Sequence, residues 1–159
     1  MHRVKKMNKK DTTVKKLRER FPDSILDVSF FRDETTFLVK KEDILPIARF
    51  VHSDADLSYD FLSDLCCVDY LKREPRFEIV YHLYSIKNNK RTRIKASIPS
   101  NQQVVSSVCS VWKTADWLER ECYDMYGIGF EGHPDLRRIL LTDDWEGHPL
   151  RKDYPLKGK

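Results

Sequence analysis

The clearest pattern in the chain is an alternation. Phe77, Ile79, Tyr81 and Leu83 fall on one side, and Glu78, Val80, His82 and Tyr84 on the other. A period of two belongs to a strand with two distinct faces, so residues 76–86 read as a strand. Asn88-Asn89 make a turn, and residues 91–98 return as its partner strand, closed by Pro99. Upstream, residues 11–20 read as a helix with Asp11 or Thr12 as N-cap, ended by Pro22 and Asp23. Residues 24–32 and 35–40 read as strands around a turn at Asp33-Glu34. Residues 41–52 predict a helix with Ile44, Leu45, Ala48 and Val51 on one face and Pro46 in its first turn. Within 57–71 we expect a turn of helix near 60–64 and then a strand over 65–70. Residues 102–110 and 114–126 predict two helical segments. In the second, Ala115, Leu118, Cys122 and Met125 share a face, while Glu119, Glu121 and Asp124 lie mostly elsewhere. Gly127 ends it as a left-handed cap.

Beyond residue 127 the pattern changes. All five glycines of the chain lie in 127–158, with three of its seven prolines, and no period persists. The segment is not polar, however, for it carries Phe130, Leu136, Ile139, Leu140, Leu141, Trp145, Leu150, Tyr154 and Leu156. An extended run with so many apolar side chains needs a surface to lie on, partly the chain's own and partly a partner's. The run also repeats itself: Glu131-Gly132-His133-Pro134 returns as Glu146-Gly147-His148-Pro149, each copy followed by a basic pair. The glycine supplies an unusual φ, and the proline forces its histidine out of helix. The expected organisation is a leader over 1–10, a domain over 11–127 and an extended tail over 128–159.

Composition narrows the function. The 159 residues suffice for one domain with its own core, but 34% are charged, which leaves a large polar surface. Residues 1–20 hold nine Lys or Arg against two acids, +7, while the whole chain is +4, so residues 21–159 are net −3. The basic character belongs to the leader and first helix. A basic arm can bind nucleic acid or anionic lipid, but no aromatic residue in 1–20 could stack on bases. No apolar run reaches the roughly 18 residues that cross a bilayer, and no apolar stretch follows the basic N-terminus. A location on the cytosolic side is expected.

Candidate chemistry is sparse. Cys66, Cys67, Cys109 and Cys122 form no CxxC pair and fit neither zinc nor iron–sulfur spacing. Buried thiols in a reducing compartment are expected. His133 and His148 lack the helical spacing of a metalloprotease site. Cys122 lacks the Gly-rich turn of a nucleophile. No GxGxxG or P-loop is present. Catalytic, cofactor-binding and metal residues are all expected to be absent. The densest charge cluster is Glu119-Arg120-Glu121 with Asp124. It reads either as a solvated helix face or as a buried junction in which the acids pair with Arg137 or Arg138.

Those residues also carry a resemblance. The run from Glu119-Arg120-Glu121 through Asp124-Met125-Tyr126 to His133 and Arg137-Arg138-Ile139-Leu140 resembles the signature of one family, the C subunits of bacterial proton-pumping NADH:quinone oxidoreductase (respiratory complex I). The same family includes a mitochondrial peripheral-arm subunit and the chloroplast NAD(P)H dehydrogenase J subunit. Asp143-Asp144-Trp145-Glu146-Gly147-His148-Pro149-Leu150-Arg151-Lys152 resembles the family's C-terminus. Tyr59-Asp60-Phe61-Leu62 and Val68-Asp69-Tyr70 resemble its central segment. The resemblance covers about residues 12–159. It implies an α+β fold, with a mainly antiparallel sheet flanked by helices and then an extended strap. It implies a non-catalytic place in the hydrophilic arm, the tail packing on the large quinone-site subunit (the D subunit of the enzyme) beside neighbouring arm subunits. Glu119, Arg120, Glu121, Asp124, His133, Arg137, Arg138, Trp145, His148 and Arg151 become the expected interface residues. No cofactor is implied here; NADH, FMN, iron–sulfur clusters and quinone belong to other subunits. The membrane is reached only through the complex, at the cytoplasmic face of the bacterial inner membrane. Two other readings stand beside this one: a small subunit of a related membrane-bound hydrogenase or another quinone- or ferredoxin-linked dehydrogenase, and a basic-arm nucleic-acid-binding module.

Overall fold

The computed structural model of the chain describes residues 11–155. The leader 1–10 and the last residues, 156–159, lie outside it. Helix α1 (Thr12–Arg20) is N-capped by Asp11, whose side chain accepts from the Thr13 N–H at 2.9 Å. Strands β1 (Ile25–Phe31) and β2 (Glu34–Val39) form an antiparallel hairpin. Its turn is Arg32-Asp33, one residue earlier than expected, and both residues take positive φ (48° and 65°), as a tight hairpin turn requires. A 3-10 turn (Lys41–Asp43) leads into α2 (Ile44–Ser53). Here Ile47 rather than Leu45 completes the buried stripe with Ile44, Ala48 and Val51, the i, i+3, i+4, i+7 spacing of one helix face.

Helix α2 carries the chain across to the far edge of the sheet. Strands β3 (Phe61–Asp69), β4 (Phe77–Ser85) and β5 (Lys90–Ile98) then return as an antiparallel meander. The meander brings β5 beside β2 in parallel, which gives the order β1-β2-β5-β4-β3. The fold is α+β, and three of the four strand pairings in this sheet are antiparallel. The expected turn of helix at 60–64 is absent, because β3 begins at Phe61. A bulge between Leu62 and Asp64 spaces the core residues Leu62 and Leu65 three apart, which imitates a helical period.

Alternate strand residues, among them Phe37, Cys67, Ile79, Tyr81, Ile94 and Ala96, join Leu17, Ile47, Val51 and Cys122 of the helices in one core. The opposite face carries polar pairs such as Lys95–Glu78 at 2.8 Å and Arg93–Glu34 at 2.9 Å. The expected helix over 102–110 is also absent. Strand β6 (Val104–Ser106) stands there, paired in parallel with β7 (Gly129–Glu131), which follows helix α3 (Ala115–Tyr126). Ile128 and Phe130 are core residues, so the domain's packing runs through β7.

Candidate functional site

Helix α3 packs against β3 and ends at Gly127, whose φ of +71° is the left-handed cap read from the sequence. The Gly127 N–H satisfies the Tyr123 carbonyl at 2.8 Å, but a helix leaves more carbonyls than that unpaired at its end. The tail returns to satisfy them. His148 Nδ1 donates to the Asp124 carbonyl at 2.9 Å, the Leu150 N–H to Met125 at 3.2 Å, and Arg151 Nε to Tyr126 at 2.6 Å. Arg151 also stacks over the Phe77 ring and bonds the Gln103 side chain. A cation at the helix C-terminus faces the negative end of its dipole. The tail is thus the cap of α3.

The Asp124 side chain anchors the same junction and is fully buried. Its Oδ1 accepts from Arg138 Nη1 at 2.6 Å. Its Oδ2 accepts three successive backbone N–H groups, those of Ile139, Leu140 and Leu141, at 3.0, 2.8 and 2.9 Å. Successive amides aimed at one point form an anion-binding nest, and a carboxylate from the chain's own helix fills it. Burial alone would raise this carboxyl, but the nest and Arg138 outweigh burial and hold it at about 2. Arg138 also donates to the carbonyls of Trp145 at 2.9 Å and Gly147 at 3.3 Å, and so ties both arms of the tail to α3. Arg120 adds bonds to the carbonyls of Arg137 and Arg138.

The repeated motif has a matching role. Gly132 and Gly147 both take left-handed φ, 81° and 84°. Each following histidine then reaches a carbonyl of α3. His133 Nε2 donates to Asp116, and His148 bonds Asp124 as above. His133 Nδ1 meanwhile accepts the Asp135 N–H, so the ring is the neutral Nε2–H tautomer. Those two carbonyls lie eight residues, about 12 Å, apart along the helix. The two copies fasten the tail near both ends of α3.

Of the expected interface residues, Asp124, Arg120, His133, Arg138, His148 and Arg151 meet at this junction. Trp145 contributes its carbonyl and leaves its ring exposed. Glu119 does not pair with an arginine. It is fully buried, accepting from Ser107 Oγ, the Val108 N–H and Cys109 Sγ at 2.6, 2.7 and 3.3 Å, and burial raises its carboxyl. Glu121 is exposed, and exposed Arg137 pairs with Asp135 at 2.9 Å. A second clamp carried no sequence signal beyond the Val68-Asp69-Tyr70 motif. The Arg76 guanidinium bridges buried Asp69 and Asp153 of the tail, at 2.8 and 2.7 Å, and Asp69 also accepts the Lys152 N–H. The Arg76 guanidinium outweighs burial and holds Asp69 far below the usual carboxylate range.

Burial pushes the Cys109 and Cys67 thiols up to about 12, which leaves no ready thiolate. Cys109, Glu119 and His133 bring ligand atoms within 4.8 Å of one another, yet each is already hydrogen-bonded within the domain.

Two results follow. A Cβ at Gly127 would stand 2.5 Å from His148 Nε2 and 2.6 Å from Arg151 Nη2. Gly127→Ala is therefore expected to cost about 1–2 kcal/mol in backbone conformation and further stability as both side chains are displaced. Gly132, with no atom within 4 Å, bears only the conformational part. Thermal denaturation of the two variants measures the difference. Acid is expected to loosen the tail. A carboxyl depressed from 3.8 to about 2 contributes its stability in full above the higher value and loses it as pH falls through the lower. Protection of the Ile139, Leu140 and Leu141 amides should drop by about 2 kcal/mol between about pH 4 and pH 2. In Asp124→Asn that dependence should be flat.

The family model described as respiratory-chain NADH dehydrogenase, 30 Kd subunit, matches residues 37–159. A curated relative, the NADH-quinone oxidoreductase C subunit of Geotalea uraniireducens (strain Rf4), is 53% identical over 152 residues, spanning 96% of this chain and 92% of that one. The protein of the same name from Geobacter metallireducens is 54% identical over 153 residues, spanning 96% and 93%. Among solved structures, a trypsin-resistant fragment (1-134) of Nqo5 superposes with a TM-score of 0.65 at 27% identity, covering 78% of this chain and 99% of the fragment. A chain of the membrane-bound sulfane sulfur reductase, an archaeal respiratory membrane complex, superposes with a TM-score of 0.77 at 25% identity, covering 90% and 84%.

Proposed function

Because the chain belongs to the respiratory-chain NADH dehydrogenase 30 Kd subunit family, we propose that it serves its enzyme as a non-catalytic structural subunit of the hydrophilic arm, docked through its tail on the large quinone-site subunit. The observation that carries this reading is the state of the tail. None of residues 132–155 is buried, and Leu140, Trp145 and Leu150 are 62%, 43% and 48% exposed. Yet their backbone is fixed by Asp124, Arg138 and both histidines. Apolar side chains held rigidly in solvent gain nothing for the domain itself. They suit a partner surface, with little ordering left to be done on contact. Trp117 on α3, 70% exposed, is a further apolar side chain left in solvent.

In this reading NADH, FMN, the iron–sulfur clusters and quinone are held by other subunits. The chain supports electron transfer to quinone by position alone. It sits at the cytoplasmic face of the inner membrane through the complex and binds no nucleic acid. Among the described residues no helix is long and apolar enough to cross a membrane. The trypsin resistance of the shorter Nqo5 fragment supports the division into a compact body and a further segment.

A second reading, membership of a related membrane complex without NADH-binding subunits, is favoured by the fold shared with the sulfane sulfur reductase chain. Affinity purification through a tagged chain, with mass spectrometry, separates the two. The quinone-site subunit and NADH-binding subunits are expected together. Recovery of hydrogenase-type partners alone would favour the second. The chain purified by itself is expected to be colourless, and a flavin or iron–sulfur absorption band would overturn the non-catalytic reading.

A further inference from the structure

The face of the sheet opposite the helices carries a group of side chains that the docking role does not use. The bulge in β3 between Leu62 and Asp64 resets the register so that Asp64 stands opposite His82 of β4. Cys66 follows two residues on, on the same face. One ligand atom from each of the three lies within 4.8 Å of the others. Among the described residues, none of these side chains takes part in a hydrogen bond or ion pair. The contrast with Cys109, Glu119 and His133 is sharp, since that group is spent on internal bonds.

We propose that Asp64, Cys66 and His82 bind a divalent transition-metal ion of the zinc type. A thiolate, an imidazole and a carboxylate together select zinc-like ions over magnesium or calcium. Around an ion with metal–ligand bonds of roughly 2.0–2.3 Å the ligand atoms stand about 3.5 Å apart, inside the 4.8 Å that bounds them here. Asp64 is exposed and the other two are half-exposed, so side-chain rotation can reach that spacing, and water takes the remaining position. The nearby cations are already matched. Arg93, opposite His82, pairs with Glu34, and Lys95 pairs with Glu78. Binding expels the Cys66 thiol proton to solvent. With neutral imidazole, one thiolate and one carboxylate balance the ion's two charges.

The test uses the full chain with Co²⁺ as an optical probe, followed by competition with Zn²⁺. We expect one equivalent to bind with a thiolate-to-metal charge-transfer band that Zn²⁺ abolishes. Cys66→Ser should remove the band. His82→Ala should weaken binding by roughly a hundredfold, at or beyond the upper end of what outer-shell changes cost. Asp64→Asn, at an exposed position, should weaken it with no effect on folding, and Cys109→Ser should leave it intact. Absence of stoichiometric binding, or a band that survives Cys66→Ser or Asp64→Asn unchanged, or one lost only in Cys109→Ser, overturns the proposal.

Discussion

Replacing Asp124 with alanine is expected to release the tail from α3 at a cost of about 3–5 kcal/mol, the range for removing one partner of a buried, hydrogen-bonded charge pair. The reason is the number of groups that depend on it. Its two oxygens serve Arg138 and the three amides of Ile139, Leu140 and Leu141. Without the carboxylate those donors can be satisfied only in water, so the segment leaves the helix. Leu140 and its neighbours then lose their fixed position. Arg138→Ala should act in the same direction, since Arg138 also holds the Trp145 and Gly147 carbonyls. In a double-mutant cycle the two changes should couple strongly, for they break one network. Glu121→Ala with Arg137→Ala is the matched control. Both residues are exposed, and their coupling should lie within the roughly 0–1 kcal/mol of surface charges. Amide exchange over 139–141 reports the release locally, and equilibrium denaturation reports its share of global stability.

The sequence revealed this junction only in part. The Asn88-Asn89 hairpin and α3 were legible because their periods are local and their turn and cap residues unambiguous. The tail was legible from the loss of any period beside retained apolar residues. The roles of individual acids were not. The cluster read either as a solvated face or as a junction with Arg137 or Arg138. Asp124 makes that junction with Arg138 and Glu119 does not, and what separates them is donors far away in sequence: Ser107 and Val108 for one, residues 138–141 for the other. The pairing of β6 with β7 was hidden for the same reason, as its two strands are separated by all of α3. The 60–64 segment misled because a bulge broke the period of two at Ser63. The Arg76 clamp joins residues 69, 76 and 153, and no spacing rule connects them.

Truncation after Glu131 is expected to leave a folded domain that no longer binds its partner. The cut follows the core, because Ile128 and Phe130 remain in place and β7 keeps its pairing with β6. Among residues 132–155 of the segment that leaves, none is buried. The domain loses the packing of Leu136, the partners of Asp124, the cap of α3 and the clamp at Arg76, and the freed carbonyls and carboxylate turn to water. The interface loses far more. Leu140, Trp145 and Leu150 would each forfeit roughly 1.5–3 kcal/mol if a partner covers them fully. That loss corresponds to orders of magnitude in affinity, beyond what rim charges supply. Circular dichroism of the fragment should retain the domain's spectrum and a cooperative melt.

The most direct test is quantitative co-purification of the complex through a tagged chain, comparing full length, the 1–131 fragment and Asp124→Ala. Full length should recover the quinone-site subunit. The fragment, folded by circular dichroism, should recover almost none of it, and Asp124→Ala should fall between the two. A folded fragment that recovers the quinone-site subunit as fully as the intact chain would contradict the claim that the tail carries the attachment.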